Sequence, residues 1–593
     1  MRLARAWASI EPGETITAWV FLRDKGNPPQ ERPFFELISE RSLRRRLRVR
    51  SPEEVIDSGD MPLDPSYVAA VAARVHQVRQ RSKWLNAVSV EATREQLAAL
   101  RGLLCVRSLE IVAPRIRPSV APSYPSLASV PPLGRSTTAS PLSSSTVPSP
   151  PLQSTIPSPP SLGTVPSRFD YGWSLNQLQQ IRVVDLHNMG LTGKDVFIGH
   201  FDNGYRLLSH ESLTGLRVHA AWDFVANEPN PDPIPCGPGE TCDSHGLETL
   251  SILAGFKEGK LIGPAFEATY LLARTESDAV ESTAEEDLWV AAMEWADSIG
   301  VDVVSSSVGY RGFDDPLTSY TWEDMDGNTA VITRAADMAV ARGIVVVAAI
   351  GNDGLLQDFN TIYAPADGDS VLAVGAIDQN GAYSILSSYG PTADGRTKPD
   401  VLAEGIGTIM ALSSNSIAYG GGFGTSAACP LVAGAAALLR SAFPAATPVQ
   451  IATALRSTAS RSAAPDRFEG WGIIDALAAY RYLRDLGPAP SPFGGRTARI
   501  VPNPYPVGPT TPIQIELPEP AYVTLQLFDV RGRRVRALLA EPLPAAEHTI
   551  PWNGLDDGGH GVASGAYFLQ LQASSLAAPE RVERETRKVI LLR

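Results

Sequence analysis

The chain has 593 residues, which at roughly 150 residues per domain suggests about four domains, or fewer if one is large. Its 51 Lys+Arg against 64 Asp+Glu give a net charge of −13, which argues against a nucleic-acid binder tracking phosphates. A 44% apolar and 19% charged composition belongs to a globular chain with a large core. No apolar run, including Gly343 to Gly351, approaches the roughly 20 residues of a transmembrane helix.

The first unit is expected to span residues 1–116. Its opening residues are basic but lack the apolar segment, about 7–15 residues long, of a secretory signal. Thr15 to Leu22 alternates like a strand, and Tyr67 to Arg79 sets Val68, Val71, Val75 and Val78 at helical spacing. Trp84 to Val90 reads as a strand, Arg94 to Leu103 as a helix and Cys105 to Val112 as extended chain. Strand, helix, strand, helix, strand predicts a small α+β domain, with helices on one face of an antiparallel sheet.

Residues 117–170 are expected to be a linker. About half of Arg117 to Ser167 is Pro or Ser, with a near-repeat in Thr146-Val-Pro-Ser-Pro-Pro-Leu152 and Thr155-Ile-Pro-Ser-Pro-Pro-Ser-Leu162. Such a segment buries too little apolar surface to offset its ordering entropy, so an extended tether is predicted.

The middle unit, residues 171–486, alternates short apolar strands with amphipathic helices. Strands are predicted at Asp195 to Phe201, Thr269 to Ala273, Val301 to Val304, Ile344 to Ala349 and Val371 to Val374. One helical stripe comprises Leu288, Ala291, Ala292, Trp295 and Ile299; another comprises Val331, Ala335, Met338 and Ala339. The pattern predicts an α/β fold with a doubly wound parallel sheet and ligands at the carboxyl ends of its strands. A Pro/Gly-rich break at 487–496 precedes a third unit, 497–593, in which Val523, Leu525 and Leu527 share one face. That unit reads as a β-sandwich.

Chemistry concentrates in the middle unit. Asp202-Asn203-Gly204 follows the first strand, and Asp243-Ser-His245-Gly246 opens a helical stretch. Gly424-Thr-Ser426-Ala-Ala-Cys-Pro430 opens another. A serine at a helix start sits beside unpaired backbone N–H groups able to donate to an oxyanion. A histidine can take its proton, and a carboxylate can orient that imidazole. Ile344 to Ile350 reads as a buried strand leading into Gly351-Asn352, and a side-chain amide at that position could donate to a developing oxyanion. Ser307-Val308-Gly309 ends another strand with small residues, against which an extended peptide can pair.

Together these motifs resemble the subtilisin-like serine proteases, or subtilases, over roughly Tyr171 to Leu486. The resemblance implies that Asp202 is the triad acid, His245 the general base, Ser426 the nucleophile and Asn352 the oxyanion donor. Ser307, Val308, Gly309, Ala349 and Gly351 would line the substrate cleft. Leu247 and Glu248 replace the family's usual Thr and His, and Ala427 replaces its common Met. The first unit resembles the family's ferredoxin-like inhibitory propeptide. The third resembles Ig-like domains of the hook-capping and type IX secretion sorting kind, through Asn503-Pro504, Asp529-Val-Arg-Gly-Arg533, Trp552-Asn-Gly-Leu-Asp556 and Ser564-Gly-Ala-Tyr567. The expected protein is thus a serine endopeptidase made as a zymogen, secreted or envelope-associated. It would act on protein or peptide substrates, be inhibited by its own propeptide, and meet secretion machinery through its last domain.

Other features receive plainer readings. His200 is expected to be an ordinary strand side chain, and Cys429 a small core residue. Spacing alone leaves Cys236 and Cys242 equally compatible with a disulfide and with two thiols. Glu281 to Asp287 is expected to be a solvated helix start rather than a calcium site. Subtilases often bind calcium, yet no ligand set is legible, so no cofactor is assigned. Tyr363, just before Ala364-Pro365, is expected to narrow the pocket for the residue preceding the scissile bond.

Overall fold

A computed structural model describes residues 13–27, 38–50, 54–114, 167–232, 244–277, 284–313, 319–486, 499–501, 505–507, 513–517, 520–552, 554–576 and 582–591. Most of the Pro/Ser-rich stretch, and Cys236 and Cys242, lie outside these residues.

The amino-terminal domain contains β1 (Thr15–Leu22), α1 (Glu40–Arg46), α2 (Pro65–Ala72), β2 (Gln77–Ser82), β3 (Ala87–Thr93), α3 (Arg94–Leu100) and β4 (Val106–Pro114). Its antiparallel sheet has the order β2-β3-β1-β4. Period-two alternation in β1 sends side chains to opposite faces. Ile16, Ala18, Val20 and Leu22 pack with Val68, Val71, Leu97 and Leu100 of the helices. Trp19 and Phe21 point the other way, into a cluster shared with Trp289, Val290 and Met293 of the next domain. Both faces are therefore covered, one by the domain's own helices and one by its neighbour.

Two expectations fail here. The helix over Tyr67 to Arg79 stops at Ala72, and Gln77–Ser82 forms a fourth strand in which Val78 pairs with Val90. The valines fit helical spacing, but β-branched residues equally suit a sheet edge with an open ladder beside it. Trp84 belongs to the turn between β2 and β3.

The large domain comprises α4 (Leu175–Gln180), α5 (Val183–Asn188), β5 (Phe197–Asp202), β6 (Arg217–Asp223), α6 (His245–Ala254), β7 (Phe256–Lys257), β8 (Leu261–Ile262), β9 (Thr269–Arg274) and α7 (Ala284–Ile299). It continues through β10 (Val303–Ser306), α8 (Val331–Val340), β11 (Val345–Ala349), β12 (Leu372–Asp378), β13 (Val401–Ala411), β14 (Tyr419–Phe423), α9 (Thr425–Ala442), α10 (Pro448–Ser457) and α11 (Ala476–Asp485). Eight strands run β14-β13-β12-β11-β10-β5-β9-β6, parallel throughout except for the antiparallel β13–β14 pair. Val303, Val345, Val347, Leu372 and Val374 pack against α6 and α9 on one face. Val304, Val346, Ala348 and Ala373 pack against α7 and α8 on the other. Helix α9 is apolar and long enough to cross a membrane, but 89% of it is buried as the core helix of this domain.

The expected solvated start of α7 is overturned for the part described: Glu285, Glu286 and Asp287 are all buried. The amino-terminal domain covers this helix, and Asp287 meets Arg79 and Ser89 across the junction. Glu286 accepts from Tyr320 Oη at 2.9 Å, and Glu285 accepts from the Ser277 N–H at 3.0 Å. Farther along α7, Glu294 accepts from Ser82 Oγ at 2.5 Å and the Trp84 N–H at 3.1 Å.

Helix α1, an insertion between β1 and α2, docks separately at the amino ends of the strands. Ser39 caps it by accepting from the Ser42 N–H. Arg45 and Arg46, fully buried, both bind Asp297 of α7, and Arg46 also holds Asp60 at 2.7 Å. Arg41 and Arg48 meet Asp302, which precedes β10. Close approach requires glycine at two positions, since a Cβ on Gly300 would lie 2.7 Å from the Ser42 nitrogen and one on Gly343 would lie 2.9 Å from the Arg45 carbonyl. Both glycines also have left-handed φ, 107° and 92°.

In the carboxy-terminal domain, β15 (Arg499–Val501), β17 (Ile513–Glu516) and β20 (Glu547–Ile550) form one sheet. The second has the order β16-β22-β21-β18-β19, from β16 (Tyr505–Val507), β18 (Ala521–Phe528), β19 (Arg534–Leu543), β21 (Gly565–Ser575) and β22 (Val582–Leu591). Ile513, Ile515, Val523, Leu525, Leu527, Leu569 and Leu571 fill the space between the two sheets.

Candidate active site

Asp202 is the last residue of β5 and has no exposure to solvent. Its Oδ1 accepts from His245 Nδ1 at 2.7 Å and from the Asn203 N–H at 2.9 Å. Its Oδ2 accepts from Thr249 Oγ1 at 2.8 Å. Burial alone would raise the carboxyl's pKa, but the charge and hydrogen bond of His245 outweigh it and hold it below its ordinary value.

His245 begins α6, with its side chain about one-third exposed, so the imidazole is anchored on one edge and open on the other. Asn203 helps fix it, because Asn203 Oδ1 accepts from the Gly246 N–H at 3.1 Å. Glycine is needed at 246: a Cβ would stand 2.4 Å from the Gly204 carbonyl and 2.9 Å from the Asp202 Cβ. Leu247, the departure noted above, turns into the core and is fully buried.

Ser426 lies in the first turn of α9, behind Gly424 at φ 102°, and is 9% exposed. Ser307 Oγ donates to the Ser426 carbonyl at 2.9 Å, tying the small-residue end of β10 to the serine. Asn352 Oδ1 accepts from the Thr425 N–H at 2.9 Å, and a Cβ on Gly424 would lie 3.0 Å from Asn352 Nδ2. With its oxygen held by Thr425, the exposed Asn352 amide has its Nδ2 hydrogens left to donate beside Ser426.

One turn further along α9, Cys429 packs against the carbonyls of Ser306 (3.5 Å) and Val347 (3.6 Å), seating the helix over the carboxyl ends of β10 and β11. Burial pushes its thiol pKa up to about 12, and Asp202 is close enough to add to that rise. This is the small core residue expected. Helix α9 also packs on α6, where a Cβ on Gly434 would lie 3.2 Å from Leu253 Cδ1. Of the cleft residues named from sequence, Ser307, Val308, Ala349 and Gly351 are buried and Gly309 is half-buried.

Sequence reasoning missed Thr249 and underrated His200. Thr249 stands four residues after His245, on the same helical face, and that spacing was the available signal. Its hydroxyl lies 2.8 Å from Asp202 and 3.2 Å from His200 Nε2, so His200 is not an isolated strand residue. His200 Nδ1 lies 3.0 Å from Tyr205 Oη. Burial lowers the His200 pKa to about 4 against the opposing pull of Asp202, leaving a neutral imidazole behind the carboxylate. Among the described residues, no group of three or more His, Cys, Asp or Glu side chains is placed to hold a metal ion.

Comparison with known proteins shows which family the chain resembles. The subtilase family model matches residues 193–472, a peptidase S8 propeptide domain of Bacteroidota matches 17–123, and a FlgD Ig-like domain matches 505–576. Subtilisin from Bacillus pumilus is 31% identical over 303 residues, covering 51% of this chain and 97% of that protein. Subtilisin DY from Bacillus licheniformis is 33% identical over 301 residues, covering 50% and 96%. A solved structure of a protease from Pseudoalteromonas arctica has a TM-score of 0.42 and 24% identity, covering 53% of this chain and 98% of that one. The chain therefore belongs to the subtilase family of serine peptidases, hydrolases acting on peptide bonds, and carries a propeptide domain ahead of the peptidase and an Ig-like domain behind it.

Proposed function

We propose that this is a serine endopeptidase made as a zymogen, with Asp202, His245 and Ser426 as its triad. Ser426 Oγ attacks the peptide carbonyl while His245 takes its proton; Asp202 holds the imidazole in the tautomer whose Nε2 is the accepting nitrogen. Asn352 Nδ2 and the Ser426 N–H donate to the oxyanion, a term on the order of 3 kcal/mol for a single donor. His245 then returns the proton to the leaving amine, and water repeats the sequence on the acyl-enzyme. The observation that carries this reading is the 2.7 Å bond from a half-open imidazole to a carboxylate with no access to water. Ser307 to Gly309 would pair with an extended substrate as an added strand, which favours peptides over small esters.

The amino-terminal domain would act as the intramolecular inhibitor. Export, and attachment through the Ig-like domain, complete the proposal; the family match of that domain and of the propeptide supports them. Ser426→Ala is expected to abolish casein hydrolysis and self-processing together. It should also abolish labelling by a fluorophosphonate probe, which reports an activated serine. Turnover retained by the pure variant would overturn the assignment.

A further inference from the structure

Helix α1 has two faces. Arg45 and Arg46 turn into the peptidase, while Leu43 and Leu47, one helical turn apart, lie on the side away from Arg45. Val55 extends that apolar side, and its carbonyl accepts from Arg46 Nη1 at 3.1 Å. The outer face of α1 is therefore fixed by the same guanidinium that binds Asp297 underneath.

The carboxy-terminal domain carries an apolar face of its own. Leu525, Leu527, Leu569 and Leu571 point between its two sheets, so the residues alternating with them point outward. Phe528 stands directly opposite Phe568 in the β18–β21 pair, which places both rings side by side on the outer face. Tyr522, at the other end of the same face of β18, is 44% exposed, whereas Phe528 and Phe568 are half-buried. Leu43, Leu47 and Val55 line one wall of a groove of about 400 Å³, and Phe528, Val530 and Phe568 line the other. Among the described residues, Leu43, Leu47, Phe528 and Phe568 all lie outside the packed cores of the three domains.

We infer that the outer face of this sheet is a docking surface for α1 of the same chain. The aromatic pair is masked while the amino-terminal domain is in place and uncovered when that domain leaves. Helix α1 is then held from two sides, by carboxylates beneath it and by an apolar sheet above. Contiguous apolar faces gain by leaving water together, and these two already confront each other across one groove. The docking needs no active serine; only the departure of the domain rests on the zymogen reading above.

The test uses the full chain in the Ser426→Ala background, so that the amino-terminal domain stays attached. With Leu47→Cys and Phe568→Cys together, a short bismaleimide should join the two positions within one chain, as read by mass spectrometry of the digested monomer. Leu47→Cys with Tyr522→Cys should give little product, because Tyr522 lies about 20 Å along the strand from Phe528. Hydroxyl-radical footprinting reads the same face without cysteines. Leu43→Asp with Leu47→Asp, which leaves the buried arginines in place, should raise oxidation of Phe528 and Phe568 about threefold or more and leave Tyr522 unchanged. Equal linking of both cysteine pairs, links that join two chains, or unchanged oxidation of the phenylalanines would overturn the inference. None of these readouts passes through catalysis, so such a failure would leave the triad reading standing, and loss of the triad would leave the docking intact.

Discussion

Asp202 and Asp297 are both carboxylates without access to water, and they sit at opposite ends of the same domain. At the carboxyl ends of the strands, Asp202 is served by a threonine hydroxyl, a backbone N–H and one edge of an imidazole that opens to solvent. Toward the amino ends, Asp297 is gripped by two fully buried guanidinium groups, Arg45 and Arg46. One acid meets chiefly neutral donors and, in the proposed mechanism, keeps its charge in reserve for a proton arriving on His245. The other is neutralised outright and has no further chemistry to do. A buried carboxylate becomes useful in catalysis when its compensation is incomplete, and useful as a lock when it is complete.

The sharpest way to break the comparison is at its reactive end. Asp202→Asn should lower kcat by about 10^4-fold, because an amide at this position favours the wrong imidazole tautomer. Burst and steady-state kinetics on casein fragments check this, and a loss under tenfold would place the Asp202–His245 bond outside the mechanism. At the locking end, Arg46→Met is read in the Ser426→Ala background so that self-cleavage does not intervene. Removing one guanidinium from Asp297 and Asp60 should weaken the hold on the amino-terminal domain by about 3–5 kcal/mol. Faster limited proteolysis of residues 13–114 and an earlier urea transition are expected; unchanged behaviour would show the pairs to be idle.

The smallest effect probes the neutral groups behind Asp202. Burial holds the His200 pKa near 4, below its ordinary 6.5, so the unfolded chain takes up this proton first as pH falls. Its contribution is thus present above about pH 6.5 and lost progressively toward pH 4. In the Ser426→Ala background, His200→Gln should therefore be less destabilising at about pH 5 than at about pH 7.5, by on the order of 2 kcal/mol. Urea titrations at the two pH values decide it, and a pH-independent difference would mean that folding leaves the imidazole's affinity for its proton unchanged.

The two ends also differ in how far the sequence exposes them. Asp202 closes a strand, while His245 and Ser426 open helices, and each is punctuated by glycine, so their places at element ends can be read locally. The parallel sheet follows likewise from short Val-rich runs separated by amphipathic helices. Nothing local reveals what α1 binds: Arg41, Arg45 and Arg46 look like a solvated charge run, and their partners lie more than 250 residues away. A separation of 198 to 212 residues likewise hides the burial of Asp287 and Glu294, whose helix has an acidic face only because another domain supplies the cover. Thr249 lay within reach, one turn beyond His245, but a lone threonine in a small-residue helix carries no mark of its partner. Val75 and Val78 mislead for another reason, since their spacing fits either a helix or an edge strand until a neighbour is present to pair with.

The arginines of α1 have one more effect, which appears only after the chain is cut. A severed inhibitor would carry away at least four guanidinium groups and leave Asp297 and Asp302 facing water at the base of the enzyme. Opposite charges on two separate bodies steer them back together at low ionic strength and let them drift apart once salt screens the attraction. Ambient salt would then govern how long the detached piece lingers, and so when a freshly made molecule begins to work.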